Sequence, residues 1–141
     1  MTMAKKPNFA AYAKLCQLAL VCYFAVLFVG THLPPNSHLL PRSIEHFDKV
    51  CHFTGYTILA GLIATTCQMA AGKLALRHLC WIWLGVAIVA AIDEVTQIPV
   101  GRDCDIWDWI ADILGAVTGL LLFVLLRKIL SARVVEQQQS S

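Results

Sequence analysis

The sequence predicts an all-α protein, a bundle of four transmembrane helices with both termini cytoplasmic. Three observations carry that expectation. The 141 residues are 58% hydrophobic and 14% charged, with mean hydropathy +0.67, against about 45–50% and about 25% in ordinary soluble domains. Four apolar stretches each reach the roughly 20 residues that a helix needs to cross a hydrocarbon core about 30 Å thick. None of them alternates like a barrel strand, and lipid leaves helices as the other spanning form. Such a composition excludes a disordered tail, a coiled coil and a basic nucleic-acid binder, so no nucleic-acid partner is expected.

The first stretch, residues 12–33, ends at Pro34-Pro35. Lys5, Lys6 and Lys14 resemble the basic start of a signal peptide. The run is too long for one, and Val29-Gly30-Thr31-His32 is no small-x-small cleavage site, so a retained anchor helix is expected. The second covers 51–71 and ends at Gly72; the third covers 78–98 and ends at Pro99; the fourth covers 107–127. This divides the chain into an N-terminal cytoplasmic segment (1–11), a transmembrane domain (12–130) and a polar cytoplasmic tail (131–141), whose end from Glu136 is expected to fray.

Charge sets the expected orientation. With the N-terminus inside, eight basic residues fall inside (Lys5, Lys6, Lys14, Lys73, Arg77, Arg127, Lys128, Arg133) and three outside (Arg42, Lys49, Arg102), as the positive-inside rule requires. Glu45, Asp48, Asp93, Glu94, Asp103, Asp105, Asp108 and Asp112 fall at the outer end, as do His32, His38, His46 and His52; only Glu136 is an inner acid. Trp81, Trp83, Trp107 and Trp109 open the third and fourth runs, at the depth of aromatic belts.

Carboxylates inside apolar helices cost about 2.5–3.5 kcal/mol each at the helix centre on insertion scales, so they should face the bundle interior. Helical spacing allows this. Asp48, His52 and Tyr56 lie at i, i+4, i+8, with Lys49 beside them. Asp93 and Gln97 lie at i, i+4, with Glu94 adjacent. Asp108, Asp112, Gly115 and Gly119 form one stripe, and its Gly-x-x-x-Gly half permits close helix packing, within the chain or in a homo-oligomer. All three clusters lie at one membrane level, and the link between the last two runs adds Gly101 and Arg102. The binding candidates are therefore Asp48, Lys49, His52, Tyr56, Asp93, Glu94, Gln97, Arg102, Asp108 and Asp112. His52, Asp93, Glu94 and Asp108 are the candidates for proton transfer.

Asp48 and Asp108 also suit simple helix capping. Asp93 and Glu94 do not, because they sit in last turns, where the helix dipole disfavours acids. They need a cation, a proton or a metal, and Arg102 is the expected partner. No motif demands a cofactor. One histidine among several carboxylates would suit a hard divalent cation such as Mg²⁺, Ca²⁺ or Mn²⁺. The six cysteines lack zinc-knuckle spacing, and only Cys51 and Cys104 share the outer end in a way that leaves a pairing open.

Asp48-Lys49-x-x-His52-Phe53-x-x-Tyr56-x-x-Leu59, followed by Asp93-Glu94-x-x-Gln97, Gly101-Arg102 and Asp108-x-x-x-Asp112-x-x-Gly115-x-x-x-Gly119, resembles the signature of the VanZ-like family over residues 48–119. The resemblance implies a small multi-helix membrane protein. The family is named for a member linked to resistance to teicoplanin, a glycopeptide antibiotic. Where the family pattern often has Asn, this chain has Asp112, an extra acid expected to be protonated or to pair with Arg102.

Two functional readings follow. The first is a non-catalytic plasma-membrane protein that binds or braces an envelope lipid or glycan precursor and is linked by resemblance to glycopeptide tolerance. The alternative is a membrane enzyme acting on a lipid-linked or phospholipid envelope substrate, with Lys49 and Arg102 holding phosphate and His52 moving a proton.

Overall fold

The computed structural model describes residues 9–33 and 47–139. Four α-helices and one 3₁₀ turn make up the ordered elements among them: α1 (Phe9–Thr31), α2 (Phe47–Ala71), α3 (Leu76–Gln97), a 3₁₀ turn (Ile98–Val100) and α4 (Ile106–Gln139). All four helices are long and apolar enough to cross a membrane. Lys5, Lys6, His38, Arg42, Glu45 and His46, read above as loop or terminal charges, lie outside the described residues.

Three of the helix ends have a visible local cause. Asp105 begins α4: its carboxylate accepts from the Trp107 backbone N–H at 2.9 Å and its carbonyl from Asp108 N–H at 3.0 Å, which satisfies donors that the first turn leaves free. Pro99 lacks the N–H that would continue α3, so the chain tightens into the 3₁₀ turn and leaves it through Gly101 at φ +80°. That left-handed geometry is strained for any residue with a Cβ. Gly72, also at φ +80°, ends α2 in the same way. α4 runs past Glu136 through Gln139. At 34 residues it measures about 51 Å, longer than a hydrocarbon core, so one end with Arg133 and Glu136 projects past it.

The core is narrow and built on α2. Tyr56, Leu59, Ala60 and Ala64 of α2 meet Val86 and Ala90 of α3 and Ala116, Leu120 and Phe123 of α4. Small residues let the backbones approach. A Cβ on Gly115 would run into the Phe53 carbonyl, and one on Gly119 into the Thr57 carbonyl, so the glycine stripe of α4 lies directly on the α2 backbone. α1 is peripheral, contributing Leu20, Tyr23 and Leu27 to the edge of the core; the Tyr23 hydroxyl donates to the Gly55 carbonyl at 2.9 Å.

Leucines, valines and isoleucines cover the outer faces of all four helices, an arrangement that water would penalise and lipid does not. Of the four tryptophans, Trp81 and Trp107 face outward. Trp83 packs against the core, and Trp109 donates from Nε1 to the Ala87 carbonyl at 3.1 Å. These two are half-buried and pack toward the core. At the end opposite the acids, Arg127 donates to Gln68 at 3.3 Å and to the Leu74 carbonyl at 3.0 Å, joining α4 to the α2–α3 turn.

Candidate functional site

The polar residues gather at the end of the bundle where α1 and α3 finish and α2 and α4 begin. The i, i+4 stripes turn inward as their spacing requires. His52 and Tyr56 are each 2% exposed, Glu94 3%, Gln97 1% and Asp112 0%, and Asp93 and Asp108 are also buried. Buried charge needs a partner, and the pairs form two tiers.

The outer tier contains the permanent cations. Arg102 Nη2 reaches both oxygens of Asp48 at 2.6 Å, and Nη1 reaches the Leu33 carbonyl at 3.5 Å. Lys49 Nζ stands 2.6 Å from Asp105 and 2.8 Å from Asp108. The Lys49 ammonium, with the Trp107 N–H, holds the Asp105 carboxyl below its usual range. The expected Arg102 clasp on Asp93 and Glu94 does not form. Gly101 swings Arg102 away from α3 toward the start of α2, where Asp48 meets it. Lys49 and Arg102 each have a carboxylate partner within the protein.

Among the described residues the inner tier contains no permanent cation. His52 Nδ1 lies 3.0 Å from Asp112 Oδ1 and 3.7 Å from Glu94 Oε1. Asp112 thus pairs with His52, and not with Arg102. Glu94 Oε2 accepts the Asp105 backbone N–H at 3.1 Å, and its Oε1 accepts from Gln97 at 3.4 Å. Gln97 also donates to Asp93 at 3.3 Å, and the Thr31 hydroxyl donates to the other Asp93 oxygen at 3.1 Å. His32 completes that corner, 3.7 Å from Asp93 and 3.1 Å from the Thr96 hydroxyl. His52 Nε2 and Asp112 Oδ2 are buried without a hydrogen-bond partner among the described residues.

All ten sequence-derived binding candidates share this one end, and Gly115 and Gly119 lie just below them on the α2–α4 contact. Three participants were not among the candidates. Thr31 and His32 were hidden because their partner Asp93 is 62 and 61 residues away, although two polar residues closing an apolar run are a visible signal. Asp105 was legible as an acid opening a helix, but its bond to Lys49 was not. Cys51 and Cys104 are free and exposed.

Two sets of donors have metal-ligand proximity. His52, Glu94 and Asp112 form one set, and Asp48, His52 and Asp108 the other, with ligand atoms within 4.8 Å of one another in each. A cavity of about 220 Å³ opens beside the cluster between α1 and α2. Its lining combines Thr31, Asp48 and His52 with Tyr23, Val26, Leu27, Gly30, Leu33 and Cys51.

No curated protein and no solved structure matches this chain. The VanZ/LLP1 family profile matches residues 7–127, which include every helix that contributes to the polar end. On that match, this four-helix membrane protein belongs to the VanZ/LLP1 family.

Proposed function

We propose that this protein is a non-catalytic component of the plasma membrane that binds the head group of an envelope lipid or lipid-linked glycan precursor at its outward-facing polar end. The α1–α2 cavity is the observation that carries this reading. Polar groups ring one part of it, and apolar side chains form the remainder, which matches an amphiphile with its head at the rim and its chain along α1. Because both cations of the site are already paired with carboxylates, recognition falls to the half-exposed edge of Asp48 beside Arg102, together with His52 and Thr31. These groups suit hydroxyl or amine donors on the ligand better than they suit bare phosphate.

The test is to fill the cavity. Gly30 lines the cavity, and no atom of the described residues lies within 4 Å of where a Cβ on it would stand, so Gly30→Leu adds a side chain to the cavity lining. Native mass spectrometry of nanodisc-embedded protein, offered glycan-bearing and plain phospholipids, should show selective retention by the wild type and its loss in Gly30→Leu. Equal retention by both would refute the reading. Orientation has a separate test. A membrane-impermeant thiol reagent applied to intact cells should label a variant whose sole cysteine is Cys104; protection until lysis would reverse the topology. The resemblance extends the reading to glycopeptide tolerance, checked by teicoplanin susceptibility with and without the protein.

One geometric feature supports the enzymatic alternative. Asp112 meets His52 at Nδ1 and leaves Nε2 without a partner among the described residues, as a general base requires. That version demands product formation by purified protein from a lipid-linked substrate panel.

A further inference from the structure

We propose that His52, Glu94 and Asp112 form a binding site for one divalent transition-metal cation, Mn²⁺ fitting best, buried among α2, α3 and α4. This goes beyond head-group binding and does not depend on it. Charge is the first support. The cluster holds six carboxylates (Asp48, Asp93, Glu94, Asp105, Asp108, Asp112) and two permanent cations. Lys49 and Arg102 pair with the three outer members, whereas among the described residues no lysine or arginine pairs with Glu94 or Asp112, which share the His52 imidazole. A buried carboxylate pair without a fixed counter-charge calls for a proton or a metal.

The second support is independent of charge. His52 and Asp112 are almost wholly buried, yet His52 Nε2 and Asp112 Oδ2 find no partner among the described residues. Native interiors seldom leave such atoms unsatisfied. Asp112 Oδ2 stands ready for bidentate coordination.

The third support is geometry. Donors about 2.1 Å from one ion stand roughly 3.0 Å apart at right angles and roughly 3.4 Å apart at the tetrahedral angle. The separations from Nδ1 are 3.0 Å to Asp112, at the right-angle value, and 3.7 Å to Glu94, a little beyond the tetrahedral one. The Asp105 N–H fixes Glu94 through Oε2 and leaves Oε1 turned toward the imidazole. One nitrogen with two carboxylates excludes an all-oxygen Ca²⁺ cage and favours Mn²⁺ or Zn²⁺ over Mg²⁺. Asp48, 47% exposed at its side chain, and Asp108 form the second donor set with the same His52 and give a cation a path inward.

Full-length protein purified in detergent and stripped with chelator would be titrated with Mn²⁺ alone, with binding read by electron paramagnetic resonance. The expected result is saturation at about one Mn²⁺ per chain, with hyperfine coupling to a directly bound nitrogen and displacement by equimolar Zn²⁺ but not by Ca²⁺. Glu94→Gln and Asp112→Asn should each weaken binding at least tenfold, and Glu136→Gln, near the far end of α4, should leave it unchanged. Absence of saturable Mn²⁺, absence of nitrogen coupling, displacement by Ca²⁺, or full affinity in both variants would overturn the proposal. Should either variant fail to accumulate, the nitrogen coupling in the wild type decides alone.

Discussion

His52 of α2 and Asp112 of α4 meet at 3.0 Å with both side chains withdrawn from solvent. Removing one partner of such a buried pair leaves a polar group stranded, at a cost of about 3–5 kcal/mol. His52→Ala should therefore unfold far more easily than the wild type in detergent denaturation. Adding Asp112→Asn to it should cost less than the sum of the single changes, with a coupling of about 0.5–3 kcal/mol. Strict additivity would show that the pair is not energetically linked.

Arg102→Ala should behave differently. Its partner Asp48 is about half exposed, and such pairs contribute about 0–1 kcal/mol. The expected result is nearly wild-type stability. Backbone hydrogen exchange should nevertheless be faster around residues 98–105, because the guanidinium ties that link to the start of α2 and to the Leu33 carbonyl. Global destabilisation comparable to His52→Ala would contradict this division into tiers.

The α2–α4 contact predicts a contrast among glycines. Gly119→Ala pushes a methyl group against the Thr57 carbonyl and should cost about 1–3 kcal/mol, the range for overpacking. Gly85→Ala, with nothing within 4 Å, should be neutral. Thermal unfolding of the two variants in one detergent checks the pair.

The Asp105 carboxyl offers a pH prediction. Its bond to Lys49 holds its pKa below the ordinary carboxylate value of about 3.9. A group whose folded pKa is depressed contributes stability above its unfolded pKa and loses it as pH falls through the folded one. The Lys49–Asp105 contact should thus persist throughout the neutral range and fail only below about pH 4. Carbon-detected NMR titration of Asp105 should show this, and Lys49→Ala should move the midpoint upward.

Hydropathy was sufficient to locate the four spans, because a helix in lipid must satisfy its own backbone and be apolar over a fixed length. The 3.6-residue period was sufficient to turn His52, Tyr56, Asp93, Glu94, Gln97, Asp108 and Asp112 toward one another, since exposing them to lipid is costly. Partner choice within that set depended on how helices rotate and slide against each other, which periodicity does not specify. The Gly115–Gly119 stripe seats α4 on the backbone of α2 at one height, and that height brings Asp112 to His52. Gly101 reverses the chain so that Arg102 reaches Asp48 and not Glu94. α1 carries no ionisable stripe, so only its packing against α2 revealed that Thr31 and His32 close on Asp93. The sequence alone determined the fold class and the end of the bundle where charge collects. Tertiary structure decided which acid faces which base, because each pair depends on sub-ångström placement of side chains from different helices.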